Sequence, residues 1–150
     1  CGHSGPLSCK VRRLMKRTPL LNRHLSQLVA SLGHLDEIVV ADAGLPVPEG
    51  VPVIDLAVMA GVPRFWDVLV ALRTELVIET ACYATEASEN LRQEFADHLD
   101  LWAAATGKPV AHEGMTHAEF KLRSKQARAI IRTGECTPYC NIILVSGVPF

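Results

Sequence analysis

Residues 132–141 read Arg132-Thr133-Gly134-Glu135-Cys136-Thr137-Pro138-Tyr139-Cys140-Asn141, and two apolar runs enclose them, 127–131 before and 142–145 after. The runs have the length and composition of buried strands, so the ten residues between them are predicted to form a turn. A purely structural turn needs only Gly, Pro or Asn. This one also carries a guanidinium, a carboxylate, a phenol and an amide. Because strands hold such a turn firmly, the stretch predicts both a buried sheet and a candidate polar site.

Strands and helices alternate along the rest of the chain. Helices are predicted over 22–32, 65–73, 86–105 and 116–126, and strands over 38–41, 53–58, 75–83, 110–113, 127–133 and 142–147. The helices show apolar residues at three- and four-residue spacing, and the strands are short apolar runs bounded by turn residues. This alternation predicts a single α/β domain, with a central, mainly parallel sheet that carries helices on both faces.

Composition limits the classes of function. With 150 residues, of which 49% are hydrophobic, the chain can bury a core as one domain. A net charge of −1 indicates no basic face, so no nucleic-acid partner is expected. No apolar run reaches the ~18 residues of a membrane-spanning helix, so no membrane association is expected. The five cysteines form no disulfide framework, which favours a cytoplasmic location.

The first fourteen residues differ from the rest of the chain. Cys1-Gly2-His3-Ser4-Gly5-Pro6 resembles a linker or a cloning remnant, and 1–14 contain no apolar segment of the kind found in signal peptides. We expect 1–14 to be a tag or a disordered extension, and 15–150 to form the domain.

Two histidines lie at predicted helix ends. His34 follows Gly33 just past the first helix, where the negative end of the helix dipole favours an imidazolium suited to donating a proton. His117 opens a helix behind Thr116, where the positive end favours a neutral imidazole that can accept a hydroxyl hydrogen. The alternatives are a simple helix-ending pair at 33–34 and a solvated histidine at 117, and spacing alone favours the latter at 117.

Asp42 ends an otherwise apolar strand. In α/β sheets, ligand-binding groups gather beyond the carboxyl ends of strands, which favours a binding role for this carboxylate. The alternative is an Asx-turn, in which the carboxylate accepts hydrogen bonds from the backbone of Ala43 and Gly44. The residues alone leave both interpretations open.

Cys136 and Cys140 form a C-x3-C pair. A closed zinc site normally needs a second matching pair, and the sequence offers none, so no metal is expected. The sequence also lacks a G-x-G-x-x-G segment after a strand, a Walker A motif and a G-x-S-x-G elbow. We therefore expect no nucleotide cofactor and no serine nucleophile.

Three motifs along the chain point to a known family. They are Gly33-His34-x-Asp36 with Asp42-Ala43-Gly44-Leu45-Pro46-x-Pro48, then Thr116-His117-x-x-Phe120-Lys121, then the opening stretch continued to Leu144. Together they resemble the D-ribose pyranase family, whose relatives are the L-fucose mutarotases. The likeness runs from Met15 to Phe150. It departs from the family pattern at Cys140, where alanine is expected, and at 1–14, which have no counterpart.

The resemblance implies a cofactor-free isomerase that interconverts the pyranose and furanose forms of D-ribose and supports ribose catabolism. It implies His34 as the proton donor. The sugar contacts that it implies are Asp42, His117, Tyr139, Asn141 and the backbone around Cys140. It also implies a homodecamer of two stacked pentameric rings, with sites at subunit boundaries.

His34 and Asp42 lie eight positions apart in the sequence. A strand lies between them, and five extended residues span about 17 Å at about 3.3 Å each, far more than a ribose molecule. The two residues therefore contact one sugar only if the turn at 33–35 folds back, or if they come from different subunits. The second arrangement predicts that a folded monomer is inactive.

Two other functions remain open on the sequence. One is a mutarotase for L-fucose or another monosaccharide, and the other is a sugar-binding regulatory subunit without turnover. Arg132 and Glu135, which first look catalytic, are expected to brace the turn or an interface.

Overall fold

The computed structural model describes residues 16–150, so the expectation for 1–14 lies outside the described part of the chain. The helices are α1 (Arg23–Ser31), α2 (Phe65–Arg73), α3 (Glu89–Thr106) and α4 (His117–Ser124). The strands are β1 (Glu37–Ala41), β2 (Val53–Asp55), β3 (Ile78–Ala84), β4 (Ala111–Met115), β5 (Ala129–Arg132) and β6 (Ile142–Ser146). Each predicted helix and strand thus has a counterpart in the structure.

The strands form one sheet in the order β2-β5-β1-β6-β3-β4. β1 pairs in parallel with β5, β5 with β2, and β3 with β4. β6 runs antiparallel to both of its neighbours, β1 and β3. The predicted α/β fold with a mainly parallel sheet is therefore confirmed. The two strands that enclose the 132–141 turn do not pair with each other, because β1 lies between them.

Helices cover both faces of the sheet, as predicted. On one face α1, α2 and α3 pack in a cluster that includes Ile38 and Val40 of β1. On the other face, Phe120 of α4 packs in a cluster with Val39. Because β1 is buried on both faces, residues 38–41 form a continuous apolar run rather than an alternating one.

The helix starts follow the capping residues. Asn22 accepts a hydrogen bond from the Leu25 N–H at 2.9 Å, so α1 begins where predicted. Thr116 and Glu119 form the capping box of α4. The predicted start of α3 at 86 is wrong, because Ser88 is the N-cap. In the part of the chain that the structure describes, no helix has both the length and the apolar character needed to cross a membrane.

Four strands are shorter than predicted: β5 covers Ala129–Arg132 rather than 127–133, β6 ends at Ser146 rather than at 147, and β2 and β3 are also shorter. β2 ends at Asp55 rather than at 58, and the Asp55 carboxylate accepts the Ala57 N–H at 3.0 Å in a turn. β3 starts at Ile78 rather than at 75, because the chain after α2 continues in a helical turn in which the Leu76 N–H bonds the Leu72 carbonyl. Apolar character extends past these ends of β2 and β3, whereas the observed ends coincide with local turn hydrogen bonds.

Candidate active site

A cavity of about 190 Å³ opens at the edge of the sheet where β1 ends and β6 begins. Its lining residues are Asp42, Gly44, Leu45, Pro46, His117, Tyr139 and Asn141. The four residues whose side chains were expected to contact the sugar are all among them. The fold thus joins groups from three distant parts of the chain, since Asp42 and Asn141 alone are 99 positions apart.

The antiparallel pairing of β1 with β6 brings Asp42 to Asn141. Val40 pairs with Ile142, so the residue that follows β1 lies beside the residue that precedes β6. Asn141 is 2% exposed; its side-chain oxygen accepts the Asp42 N–H at 2.8 Å, and its amide nitrogen donates to the Asp42 carboxylate at 3.3 Å. Asn141 therefore holds the end of β1 and orients the carboxylate.

Asp42 serves both the turn and the cavity. Its Oδ1 accepts the Gly44 N–H at 3.0 Å, which confirms the Asx-turn, while the residue also lines the cavity. Partial burial raises the pKa of the Asp42 carboxyl above its ordinary value, although hydrogen bonds from Gly44, Asn141 and Leu45 oppose the rise. Hydroxyl groups of a ligand can add hydrogen bonds to this partly desolvated carboxylate.

His117 is the first residue of α4, and Thr116 caps the helix behind it. Its backbone N–H donates to the Glu86 carboxylate at 2.9 and 3.0 Å. That negative charge lies at the positive end of the α4 dipole. Within residues 16–150, the enclosed Nδ1 of the ring has no hydrogen-bond partner.

Tyr139 packs edge-on against the His117 ring, with centroids 5.1 Å apart and planes at 82°. Its backbone has a φ of 62°, and among the described residues only one other non-glycine residue, Leu35, has a positive φ. This left-handed conformation costs about 1–2 kcal/mol in a residue with a side chain. Such strain persists only where the surroundings enforce it, and here it accompanies a phenol at a cavity wall.

The other polar side chains of the turn have structural roles, as expected. Glu135 is 7% exposed; one of its oxygens accepts the Phe65 N–H at 3.1 Å and the other accepts the Thr137 hydroxyl at 2.8 Å. Arg132 donates to the Ala43 carbonyl at 3.1 Å. These contacts tie the turn to the start of α2 and to the segment after β1.

The cysteines of the turn do not form a site together. Cys136 is exposed, whereas Cys140 is buried in the hydrophobic core, where burial raises the pKa of its thiol. The Cys140 side chain packs in the core, and Cys140 is not among the residues that line the cavity. In residues 16–150 no three His, Cys, Asp or Glu side chains are grouped as metal ligands.

The structure does not bring His34 to this cavity. The Leu35 N–H bonds the Ser146 carbonyl at 2.9 Å, which places His34 beside the end of β6, whereas the cavity lies at the start of β6. The turn at 33–35 does not fold back toward Asp42. Within one chain, His34 and Asp42 therefore lie at opposite edges of the sheet.

Two acidic neighbours of the histidines were missed by the sequence analysis. Glu79 Oε1 lies 2.7 Å from Nε2 of His34, 45 positions earlier in the chain. Glu86 bonds His117, 31 positions later. Neither carries a local signal, because both contacts depend on where β3 and its following turn lie in the sheet.

Comparison with known proteins finds one family. A profile of the RbsD / FucU transport protein family matches residues 15–149. A D-ribose pyranase of Aeromonas hydrophila is 52% identical over 139 residues, which cover 91% of this chain and 100% of the relative. The solved structure of Bacillus subtilis RbsD complexed with D-ribose is 45% identical, with a TM-score of 0.77 over 91% of this chain and 100% of that one. A fucose mutarotase of Streptococcus pneumoniae, in complex with L-fucose, is 26% identical, with a TM-score of 0.64 over 87% and 95%.

Proposed function

The chain belongs to the RbsD / FucU transport protein family, and we propose that it is a D-ribose pyranase, an isomerase that interconverts the pyranose and furanose forms of D-ribose. The observation that carries the proposal is the cavity where a carboxylate, an imidazole, a phenol and an amide converge. These are the donors and acceptors that sugar hydroxyls require. Relatives named D-ribose pyranase, at 51% and 52% identity, support ribose over fucose, because the fucose mutarotase is only 26% identical.

The size of the cavity suits a monosaccharide. At about 190 Å³ it is smaller than the ~300–1,000 Å³ of typical ligand pockets. Asp42, His117, Tyr139 and Asn141 would hold the hydroxyls of one small sugar, with the backbone at Cys140 beside them. A longer glycan has no room in this volume.

The proposed reaction needs only proton transfers. A proton delivered to the ring oxygen and another removed from the anomeric hydroxyl break the ring C–O bond and give the open aldehyde. Reclosure by the C5 hydroxyl gives the pyranose and by the C4 hydroxyl the furanose, so no atom is gained or lost. General acid–base groups contribute typically ~10²–10⁴-fold to such a step. We assign the proton donor to His34.

Because His34 lies away from the cavity within one chain, the proposed site is formed by residues of two subunits. The cavity and His34 lie at opposite edges of the sheet. A head-to-tail contact would place His34 of one copy beside the cavity of the next. Head-to-tail contacts close into rings when the rotation between copies permits. We therefore propose a homo-oligomer in which a folded monomer is inactive. Its form as a cytoplasmic decamer of two pentameric rings is what the family resemblance implies.

Saturation-transfer NMR on D-ribose and L-fucose tests the proposed function. We expect the protein to accelerate exchange between the pyranose and furanose signals of ribose. Exchange confined to the anomers of fucose would instead identify a fucose mutarotase. Ribose binding without any exchange would identify a regulatory subunit and overturn the assignment as an enzyme.

A further inference from the structure

Glu79 makes the side-chain contact that holds His34. Its Oε1 lies 2.7 Å from His34 Nε2, a short distance for a hydrogen bond between these groups. Both side chains are about half exposed, at 52% for His34 and 42% for Glu79. Glu79 belongs to β3, so a rigid strand in the middle of the sheet carries the carboxylate.

The backbone around His34 is fixed on both sides. The Gly33 N–H donates to the Asp36 carboxylate at 2.7 Å, and the Leu35 N–H donates to the Ser146 carbonyl at 2.9 Å. Leu35 has a φ of 71°, which costs a side-chain-bearing residue about 1–2 kcal/mol. A loop with no role beyond connection does not need this arrangement. These bonds fix the position of the His34 backbone, and the orientation of its ring is left to its side-chain contacts.

Open volume lies beside the pair. Glu79 lines a groove of about 450 Å³ at the same edge of the sheet, together with Lys108 and residues 147–148. The His34–Glu79 pair thus stands next to space that a ligand or a neighbouring copy can occupy. A carboxylate bonded to one ring nitrogen in such a place leaves the other nitrogen free for chemistry.

We propose that Glu79 is a positioning residue for His34. It accepts the Nε2–H hydrogen bond, which selects the tautomer and the orientation of the ring and leaves Nδ1 to exchange the proton with the ring oxygen of the sugar. This inference rests on the proposed function, in which His34 is the proton donor. Glu79 itself does not contact the sugar.

Substitution of Glu79 separates this role from a structural one. In Glu79→Leu we expect ribose exchange to slow by roughly 10²-fold, the usual loss when a reacting group is misplaced by about 1 Å, with ribose affinity unchanged. Glu79→Asp should restore part of the rate, because it keeps the acceptor. Glu94→Leu, at an exposed glutamate of α3, is the matched control and should leave the rate unchanged. An unchanged rate in Glu79→Leu, or equal losses in rate and affinity, would overturn the proposal.

A spectrum that needs no substrate keeps this test independent of the proposed function. Nitrogen-15 correlation spectra of the histidine rings, at a pH of about 8 where an ordinary histidine is neutral, report which ring nitrogen carries the proton. We expect the proton of His34 on Nε2 in the wild type and a mixture of tautomers in Glu79→Leu. A proton on Nδ1 in the wild type, or the same tautomer in both proteins, would contradict the role of Glu79. If ribose exchange were absent in the wild type, the proposed function would fail. The spectra would still show whether Glu79 sets the tautomer of His34.

Discussion

The two edges of the sheet differ in how completely one chain builds them. At the carboxyl end of β1, Asp42 and Asn141 bond each other, and His117 and Tyr139 close a small cavity around them. At the other end, His34 is half exposed and is held by Glu79. The first edge encloses its polar side chains in a cavity, and the second presents the half-exposed ring of His34, the proton donor that we propose. On our proposal, one chain carries two half-sites and a second copy supplies the missing half.

The largest expected effect comes from the exposed edge. His34→Ala should slow ribose exchange by about 10²–10⁴-fold, because it removes the proposed general acid, while ribose still binds at the cavity. Saturation-transfer NMR measures the rate, and ligand titration measures the affinity. His24→Ala, at an exposed histidine of α1, is the control and should behave as the wild type. If His34→Ala lost ribose binding as well as exchange, the cavity would not bind ribose by itself, and the division of roles between the two edges would be wrong.

The next effect should be structural and confined to the enclosed edge. Asn141→Ala leaves the Asp42 N–H without its partner, and a buried polar group left unpaired costs about 1–3 kcal/mol of unfolding free energy. Ribose affinity should fall with it, since Asp42 loses its orientation. Denaturant unfolding and ligand titration report the two losses. Asn90→Ala, at an exposed position of α3, should change neither quantity; an equally stable Asn141→Ala protein would show that the enclosed edge does not depend on this amide.

A smaller effect should appear in the pH dependence of stability. Burial raises the folded-state pKa of the Asp42 carboxyl above its ordinary value, so the folded state binds this proton more readily than the unfolded state. The contribution of Asp42 to stability therefore falls as the pH rises through the window between the ordinary pKa and the raised one. Asp42→Asn keeps an oxygen for the Asx-turn but does not titrate.

The difference in unfolding free energy between Asp42→Asn and the wild type reports this effect, because the two proteins share all other carboxyl groups and their contributions cancel in the difference. Relative to the wild type, the variant should gain stability as the pH rises through that window and then stay level. Denaturant unfolding at a series of pH values measures the difference. Parallel stability curves for the two proteins would show that the carboxyl is not desolvated in the folded state.

The smallest expected effect concerns strain at the exposed edge. Leu35 is 56% exposed and has a φ of 71°, so Leu35→Gly should relieve about 1–2 kcal/mol of strain, against a loss of roughly 0.5–1 kcal/mol from the greater freedom of glycine in the unfolded chain. The net expectation is a gain of about 0–1.5 kcal/mol in unfolding free energy. Leu21→Gly, at an exposed leucine whose φ is not positive, should instead lower it. A loss of stability in Leu35→Gly as large as that in Leu21→Gly would remove the argument that the turn is strained.

The sequence predicted the helices and strands better than it predicted which strands lie side by side in the sheet. The apolar runs at β1, β5 and β6 and the caps Asn22 and Thr116 act through local contacts, so periodicity and capping rules find them. The position of β1 between β5 and β6 depends on long-range pairing, and no local pattern encodes it. Strand ends were mispredicted at β2 and β3 because apolar character continues into the turns that end the strands.

The candidate site shows the same division. The resemblance supplied Asp42, His117, Tyr139 and Asn141. The length of β1 separated His34 from Asp42 unless the turn at 33–35 folded back, and the structure shows that it does not. Glu79 and Glu86 escaped notice because an exposed glutamate looks the same in sequence whether or not a histidine from another element lies beside it. The hydrogen bonds of Glu79 and Glu86 to the histidine residues span 45 and 31 positions, so they become visible only once the order of the strands is known.

Mixing two inactive variants tests the central claim, that the half-sites of two copies combine, most directly. His34→Ala and Asp42→Ala should each lose ribose exchange alone. Co-assembled in equal amounts, with mixed oligomers verified by native mass spectrometry, they should recover activity at about a quarter of the sites, because each site draws one half from each of two neighbouring copies. If mixed oligomers form and ribose exchange stays as low as in the separate variants, both residues act from the same chain, and the account of two half-sites is wrong.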